Sequence, residues 1–207
     1  MYGLVNIAIR DLILTRHGED TWNRIVARSG ASHGTFVGME RYPDSLTYDL
    51  VGAASEILET PVPALLEAFG EFWMTFTAEK GYGDALEFAG DTFREFLTNL
   101  DDMHARVSLS FPELEPPSFD VEDLGDGRLE LHYHSDRPGL APMVVGLLRG
   151  LARRFEERIE IEHLAPIETA ADAAADKGMQ DSEAPAETSA VHDRFLVRLV
   201  GEESAAA

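Results

Sequence analysis

Between residues 110 and 130 the apolar residues change their spacing, and this change limits the folds open to the chain more than any other feature. Before it they recur at intervals of three and four, as on one face of a helix; after it, "RLELHYHSDR" alternates at intervals of two, as along a strand. Any fold must therefore join a helical first half to extended structure. "GDG" at 125–127 separates two such extended runs and reads as the turn of a hairpin.

The helical half divides at start and stop signals. Leu4, Ile7, Ala8, Asp11, Leu12 and Thr15 give a first, mostly apolar face, and Trp22, Ile25 and Val26 mark a second short helix after "HGED". Segments 45–58 and 61–77 start at Ser45 and Pro61. The latter carries Leu65, Leu66, Phe69, Phe72, Trp73 and Phe76, a stripe that suits a core. "GYGD" (81–84) is a turn. Thr92 and Glu95 then make a capping box for a helix whose buried stripe is Phe93, Phe96, Leu97, Leu100, His104 and Val107, with Pro112 just past its end. After the hairpin, 138–155 is a helix in which Gly146 and Gly150 permit close approach of a neighbour. Strands follow at 158–164 and 194–200. Residues 165–190 hold acids, alanine, serine and threonine but no aromatic residue, the composition of a disordered excursion from a hairpin.

Two polar features sit on faces that should be apolar. The first is His104, which must find a hydrogen-bond partner, titrate or bind a metal. The second is Tyr133, Ser135 and Arg137, on the strand face begun by Leu129 and Leu131. All three donate hydrogen bonds to anionic oxygen, arginine as a two-pronged fork, so a carboxylate or phosphate suits them. Taken singly, a satisfied core histidine and an internal salt bridge are also open.

Composition narrows the choice. The chain has 207 residues and no cysteine, which excludes disulfides, thiolate catalysis, zinc–thiolate and iron–sulfur sites and covalently attached c-type haem. A lone buried histidine is a poor zinc site, whereas haem iron takes four ligands from the porphyrin and needs one from the protein. The net charge of −21 disfavours nucleic acid and anionic membranes. Asn6, Arg10 and Asp11 break the apolar N-terminus, so neither a signal sequence nor a membrane span is expected, and the expected compartment is the cytoplasm.

"MYGLVN", "LVGAASE", "LLEAFGEFW", "GYGD", "LDDMHARVSLSFPELEPPSF", "LHYHSDR" and "GLAPMVVGLL" together resemble the H-NOX family of haem–nitric oxide/oxygen binding domains, homologous to the haem domain of soluble guanylate cyclase. The likeness covers about 1–164 and the closing strand and is to a stand-alone bacterial member. It implies an α+β fold: one domain over 1–200, with a helical N-terminal lobe (about 1–62) and a C-terminal lobe (about 63–200) bearing an antiparallel sheet, haem between the lobes. The acidic insertion 165–190 and the tail 201–207 fall outside the shared pattern. It further implies that His104 is the proximal ligand of a non-covalent b-type haem and that Tyr133, Ser135 and Arg137 bind its propionates. Pro117 then presses on the porphyrin, and Trp73 and Met143 line the distal side.

Oxygen-binding members use a distal tyrosine where this chain has Pro142, so the resemblance points to a sensor of nitric oxide, also able to bind carbon monoxide, that excludes oxygen. Nitric oxide would weaken the iron–His104 bond and free the helix. The protein itself is then not an enzyme. Its output would pass to a separate protein such as a histidine kinase or a cyclic-di-GMP enzyme. The alternatives are a haem enzyme, for which 1–9, 69–77 and 140–148 lack a distal His or Arg, and a haem carrier, which would lose haem easily to apomyoglobin. His17 and His33 are expected in solvated turns, His132 and His134 exposed opposite the Tyr–Ser–Arg face, and His163 and His192 structural or exposed.

Overall fold

The computed structural model describes residues 1–77, 80, 83–110, 115–164 and 191–201. Gly81 and Tyr82 of "GYGD", Pro112, the acidic run 165–190 and the tail from 202 lie outside the described residues. In chain order the elements are α1 (Gly3–Ser29), α2 (Asp44–Leu58), α3 (Val62–Thr77), α4 (Gly83–Glu87), α5 (Phe93–Thr98), α6 (Leu100–Ser110), β1 (Ser118–Gly125), β2 (Arg128–Ser135), α7 (Ala141–Arg154), β3 (Ile159–Leu164) and β4 (Val191–Leu199). This is the α+β order expected from the change of period. No described helix is long and apolar enough to cross a membrane.

The chain forms two compact units. One comprises Met1–Phe88 and Leu140–Glu156. Its α1 is interrupted at Gly18, where φ 80° and ψ 174° leave helical space, so the two helices expected there are present and meet at a sharp break. His17 stands at that break, immediately before Gly18, and is exposed, as expected. Ile9, Leu12, Ile13, Trp22, Ile25, Leu50, Phe69 and Phe76 form the buried core, with Trp73 and Met143 packed against it. Asn6 is fully buried among them and accepts a 2.8 Å hydrogen bond from the Thr47 hydroxyl.

Helix α7 returns to this unit because glycine lets it approach α3. A Cβ on Gly70 would lie 2.7 Å from the Leu147 nitrogen, and one on Gly146 2.8 Å from the Glu67 carbonyl carbon. On Gly150 it would meet the Met74 side chain at 2.9 Å. Ion pairs Glu67–Arg149 and, at 2.7 Å, Glu71–Arg153 flank the contact. The expected close neighbour of Gly146 and Gly150 is thus α3. Helix α3 packs on α1 and α2, and α7 packs on α3, which is why α7 groups with the N-terminal helices.

The other unit comprises residues 89–139 and the chain from 157 onward. Its four strands run antiparallel in the order β1-β2-β4-β3. Asp126 and Gly127 both have positive φ, as a two-residue I′-type hairpin requires, and they join β1 to β2. Along β2 every second residue is buried: Leu129, Leu131, Tyr133 and Ser135. Phe195, Val197 and Leu199 of β4 fill the same face, and α5 and α6 lie against β1.

The single helix expected to carry His104 is two. Asn99 ends α5 because its side chain turns out to donate to the Ala89 carbonyl at 2.9 Å, and α6 starts afresh at Leu100. The capping signal is realised: Thr92 Oγ1 accepts from the Glu95 N–H at 3.2 Å, while the Glu95 carboxylate accepts from the Asp91 N–H at 3.1 Å. Thr92→Ala is expected to lower stability by about 1 kcal/mol, read as a shifted urea midpoint at unchanged slope.

Candidate functional site

Helix α6 places His104 one turn after Asp101, whose Oδ1 accepts the Phe119 N–H at 3.0 Å and so ties the helix to β1. The His104 ring is half-buried and lies 5.7 Å from the ring of Phe119. Its Nδ1 is buried and makes no hydrogen bond. Desolvation holds the pKa of His104 below 6.5, outweighing the Asp101 carboxylate and the Pro117 carbonyl, both of which favour the protonated ring. The imidazole is therefore neutral at neutral pH, the form that coordinates a metal. A satisfied core histidine would have a well-formed hydrogen bond at its buried nitrogen; this one has only the approach of the Pro117 carbonyl.

Tyr133 and Ser135 are buried on β2, and the Tyr133 ring lies 5.3 Å from Phe119. Phe119 thus has ring contacts with both His104 and Tyr133. Arg137 is not on the strand face as the alternation suggested. β2 ends at Ser135, whose hydroxyl accepts the Arg137 N–H at 3.1 Å and turns the chain away. The half-buried Arg137 guanidinium donates from Nη1 to the Glu115 carbonyl at 3.0 Å and lies 3.9 Å from that residue's carboxylate. The internal ion pair open from sequence is thus formed, in a loose geometry that an incoming carboxylate can displace.

Pro117 is half-buried just before β1. His104, Pro117, Tyr133, Ser135 and Arg137 share the sheet-bearing unit, whereas Trp73 and Met143 belong to the helical one. Trp73 sits between Phe69 and Phe76, at ring distances of 5.8 and 5.9 Å. Met143 lies in the first turn of α7, next to Pro142. Among the described residues no three His, Asp or Glu converge as a metal cage does. Asp101 and Phe119 were not singled out from sequence; an acid one turn before a helical histidine was the available signal for the first.

These elements define the class: the fold is that of H-NOX proteins. The Fe(II)NO form of an H-NOX protein from S. oneidensis superposes with a TM-score of 0.75 at 22% identity, over 96% of this chain and 99% of that one. An unliganded Fe(II) H-NOX mutant from K. algicida gives 0.75 at 19% identity, over 96% of each chain. The chain belongs to the Haem-NO-binding (HNOB) family, whose profile matches residues 2–163. It is 34% identical over 157 residues to the soluble guanylate cyclase gcy-32 of Caenorhabditis elegans, covering 74% of this chain and 23% of the relative. Guanylate cyclase soluble subunit beta-2 of Rattus norvegicus is 41% identical over 92 residues, 44% of this chain and 14% of that protein. The chain spans under a quarter of the length of these two relatives.

The H-NOX family binds haem and is a family of gas sensors. The residues here fit that group. A neutral, half-buried imidazole, its ring approached by the Pro117 carbonyl as a ligating histidine's second nitrogen usually is, suits iron, and a Tyr–Ser–Arg set at the strand end suits carboxylates.

Proposed function

We propose that this protein senses nitric oxide at a non-covalent b-type haem, does not take up oxygen, and reports the event to a separate signalling protein without itself being an enzyme. The observation that carries the reading is His104: neutral, half-buried on a helix face, and with no well-formed hydrogen bond at its covered nitrogen, which only the Pro117 carbonyl approaches. Haem, when bound, would supply a ferrous iron able to take nitric oxide or carbon monoxide.

His104 is the iron ligand in this reading. Tyr133 and Ser135 donate hydroxyl hydrogens to the propionates, and Arg137 exchanges its bonds to Glu115 for a two-pronged pair with one of them. Pro117 packs against the porphyrin. Trp73 and Met143 would line the distal side in this reading, where Pro142 supplies no hydroxyl to stabilise oxygen. His104 would tie α6 to the bound group, and loosening of that tie on gas binding would leave α6 with its other anchors, chiefly the Asp101–Phe119 bond, and free to move. This is a local ligand event biasing a two-state element. A histidine kinase or a cyclic-di-GMP enzyme is the expected partner.

The test is spectroscopic. Ferrous protein in air-saturated buffer is expected to keep its unliganded absorbance and to change it on addition of nitric oxide. A stable oxygenated spectrum overturns the selectivity; no haem uptake overturns the reading altogether.

A further inference from the structure

His132, His134 and His192 form a cluster to which the proposed function gives no task. Pairing of β2 with β4 sets His134 opposite His192 and His132 opposite Arg194. The His134 and His192 rings stack with centroids 4.1 Å apart, and His132 lies 5.3 Å from His192. His132 Nδ1 and His192 Nε2 stand 3.0 Å apart, so one of the two nitrogens must carry a proton and the other must not.

The charges around the cluster come from every strand. On β2, Glu130 Oε1 lies 3.3 Å from His132 Nε2. On β1, Asp120 Oδ2 is 3.9 Å from His134 Nε2, and Glu122 pairs with Glu130. On β4, Arg194 holds Glu130 at 2.5 Å, while Asp193 is buried on the opposite face against His163 of β3 at 2.8 Å. On β3, Glu162 pairs with Leu196.

Proton capacity is limited by this arrangement. The His132–His192 pair accommodates one imidazolium, which donates to the neutral ring and, at His132, also faces Glu130. A second proton sets two N–H groups against each other, and protonated His134 sets a cation against the stacked face of His192. Partial burial, then His134, His132 and Arg194, hold the pKa of His192 below 6.5 against the opposing pull of Asp193. The strands involved are those of the anion-binding residues: Tyr133 pairs with Asp193, and Ser135 with Val191.

We propose that the His132–His134–His192 cluster is a proton-sensitive latch on the ends of β2 and β4, and that its opening in acid loosens the grip of Tyr133 and Ser135 on a bound carboxylate. The effect on haem rests on the proposed function; the latch itself does not. A histidine whose folded pKa is depressed binds more protons when unfolded. The stability of the strand ends is therefore full above pH 6.5 and is lost as pH falls from there through the folded value.

Amide hydrogen exchange on the full chain, followed from about pH 8 to about pH 5, reads the latch directly. Corrected for intrinsic rates, the amides of Tyr133, Ser135, Val191 and Asp193 are expected to lose protection several-fold relative to Leu129 and Val197. His192→Gln and His134→Gln should each flatten that profile. Haem transfer to apomyoglobin should accelerate several-fold over the same range in the parent and less in either variant. An unchanged exchange ratio in the parent, or identical profiles in parent and both variants, overturns the latch. A latch that opens while haem transfer stays constant overturns the coupling. Failure to take up haem at any pH overturns the coupling and the haem reading together, and the exchange profile still decides the latch.

Discussion

His104→Gly is expected to weaken haem retention by at least about a hundredfold, since loss of even an outer partner of a metal ligand costs about ten- to a hundredfold. Absorbance of the protein after gel filtration reads it. The chain should still fold, because one glycine inside a helix costs only about 1 kcal/mol. Imidazole added to the variant should restore the haem absorbance, since the free base fills the same coordination position. It should not restore the response. In the parent protein, nitric oxide is expected to increase amide exchange along Asp101–Val107, because freeing His104 frees α6. In the rescued variant the ligand is no longer part of the chain, so exchange there should not change. A normal exchange response in the rescued variant contradicts the tethered-helix mechanism; full haem retention without imidazole removes His104 from the site.

The features legible in the sequence are those set by neighbours along the chain. The alternation of Leu129, Leu131, Tyr133 and Ser135 is visible because β2 buries one face only. Asp126 and Gly127 announce their turn because few residues accept positive φ. Thr92 and Glu95 announce a helix start because their side chains satisfy nearby backbone N–H groups. Where long-range contacts decide, the sequence is silent or misleading. The stripe from Phe93 to Val107 keeps its spacing across Asn99, yet Asn99 breaks the helix by bonding to Ala89, ten residues earlier. Arg137 continues the alternation in register, but the Ser135 hydroxyl ends the strand before it. The histidine cluster depends on a register between strands sixty residues apart.

The same distinction governs the site. His104 and the Tyr–Ser–Arg spacing stand out because each places a polar group where the local period calls for an apolar one. Phe119, which links them by ring contact, belongs to an ordinary apolar position, and nothing in its own sequence context marks it. A polar group on an apolar face thus signals chemistry, but the residue that connects two such groups emerges only from packing.

Gly146→Ala and Gly52→Ala are expected to change stability in opposite directions, although both replace glycine inside a helix. At Gly52 in α2 an added Cβ meets nothing within 4 Å. Alanine there gains the helix propensity that glycine lacks, about 0.5–1 kcal/mol of stabilisation. At Gly146 the same methyl lies 2.8 Å from the Glu67 carbonyl carbon and 3.0 Å from its Cα, with the carbonyl oxygen closer still. These are backbone atoms that no rotamer change can move, so α3 and α7 must part. Overpacking of this kind costs about 1–3 kcal/mol, and at a backbone contact the upper end applies, more than the propensity gain returns. For a chain of this size about 2 kcal/mol net corresponds to a fall in Tm of roughly 4–8 °C. Parting the helices also shifts Met143, which lies one turn before Gly146, relative to the α3 backbone at Gly70. Under the proposed function, which gives Met143 to the distal side, Gly146→Ala should therefore alter the rate at which carbon monoxide rebinds after photolysis, whereas Gly52→Ala should not. Equal Tm changes in the two variants would show that the α3–α7 approach carries no strain and that the glycine at 146 is incidental.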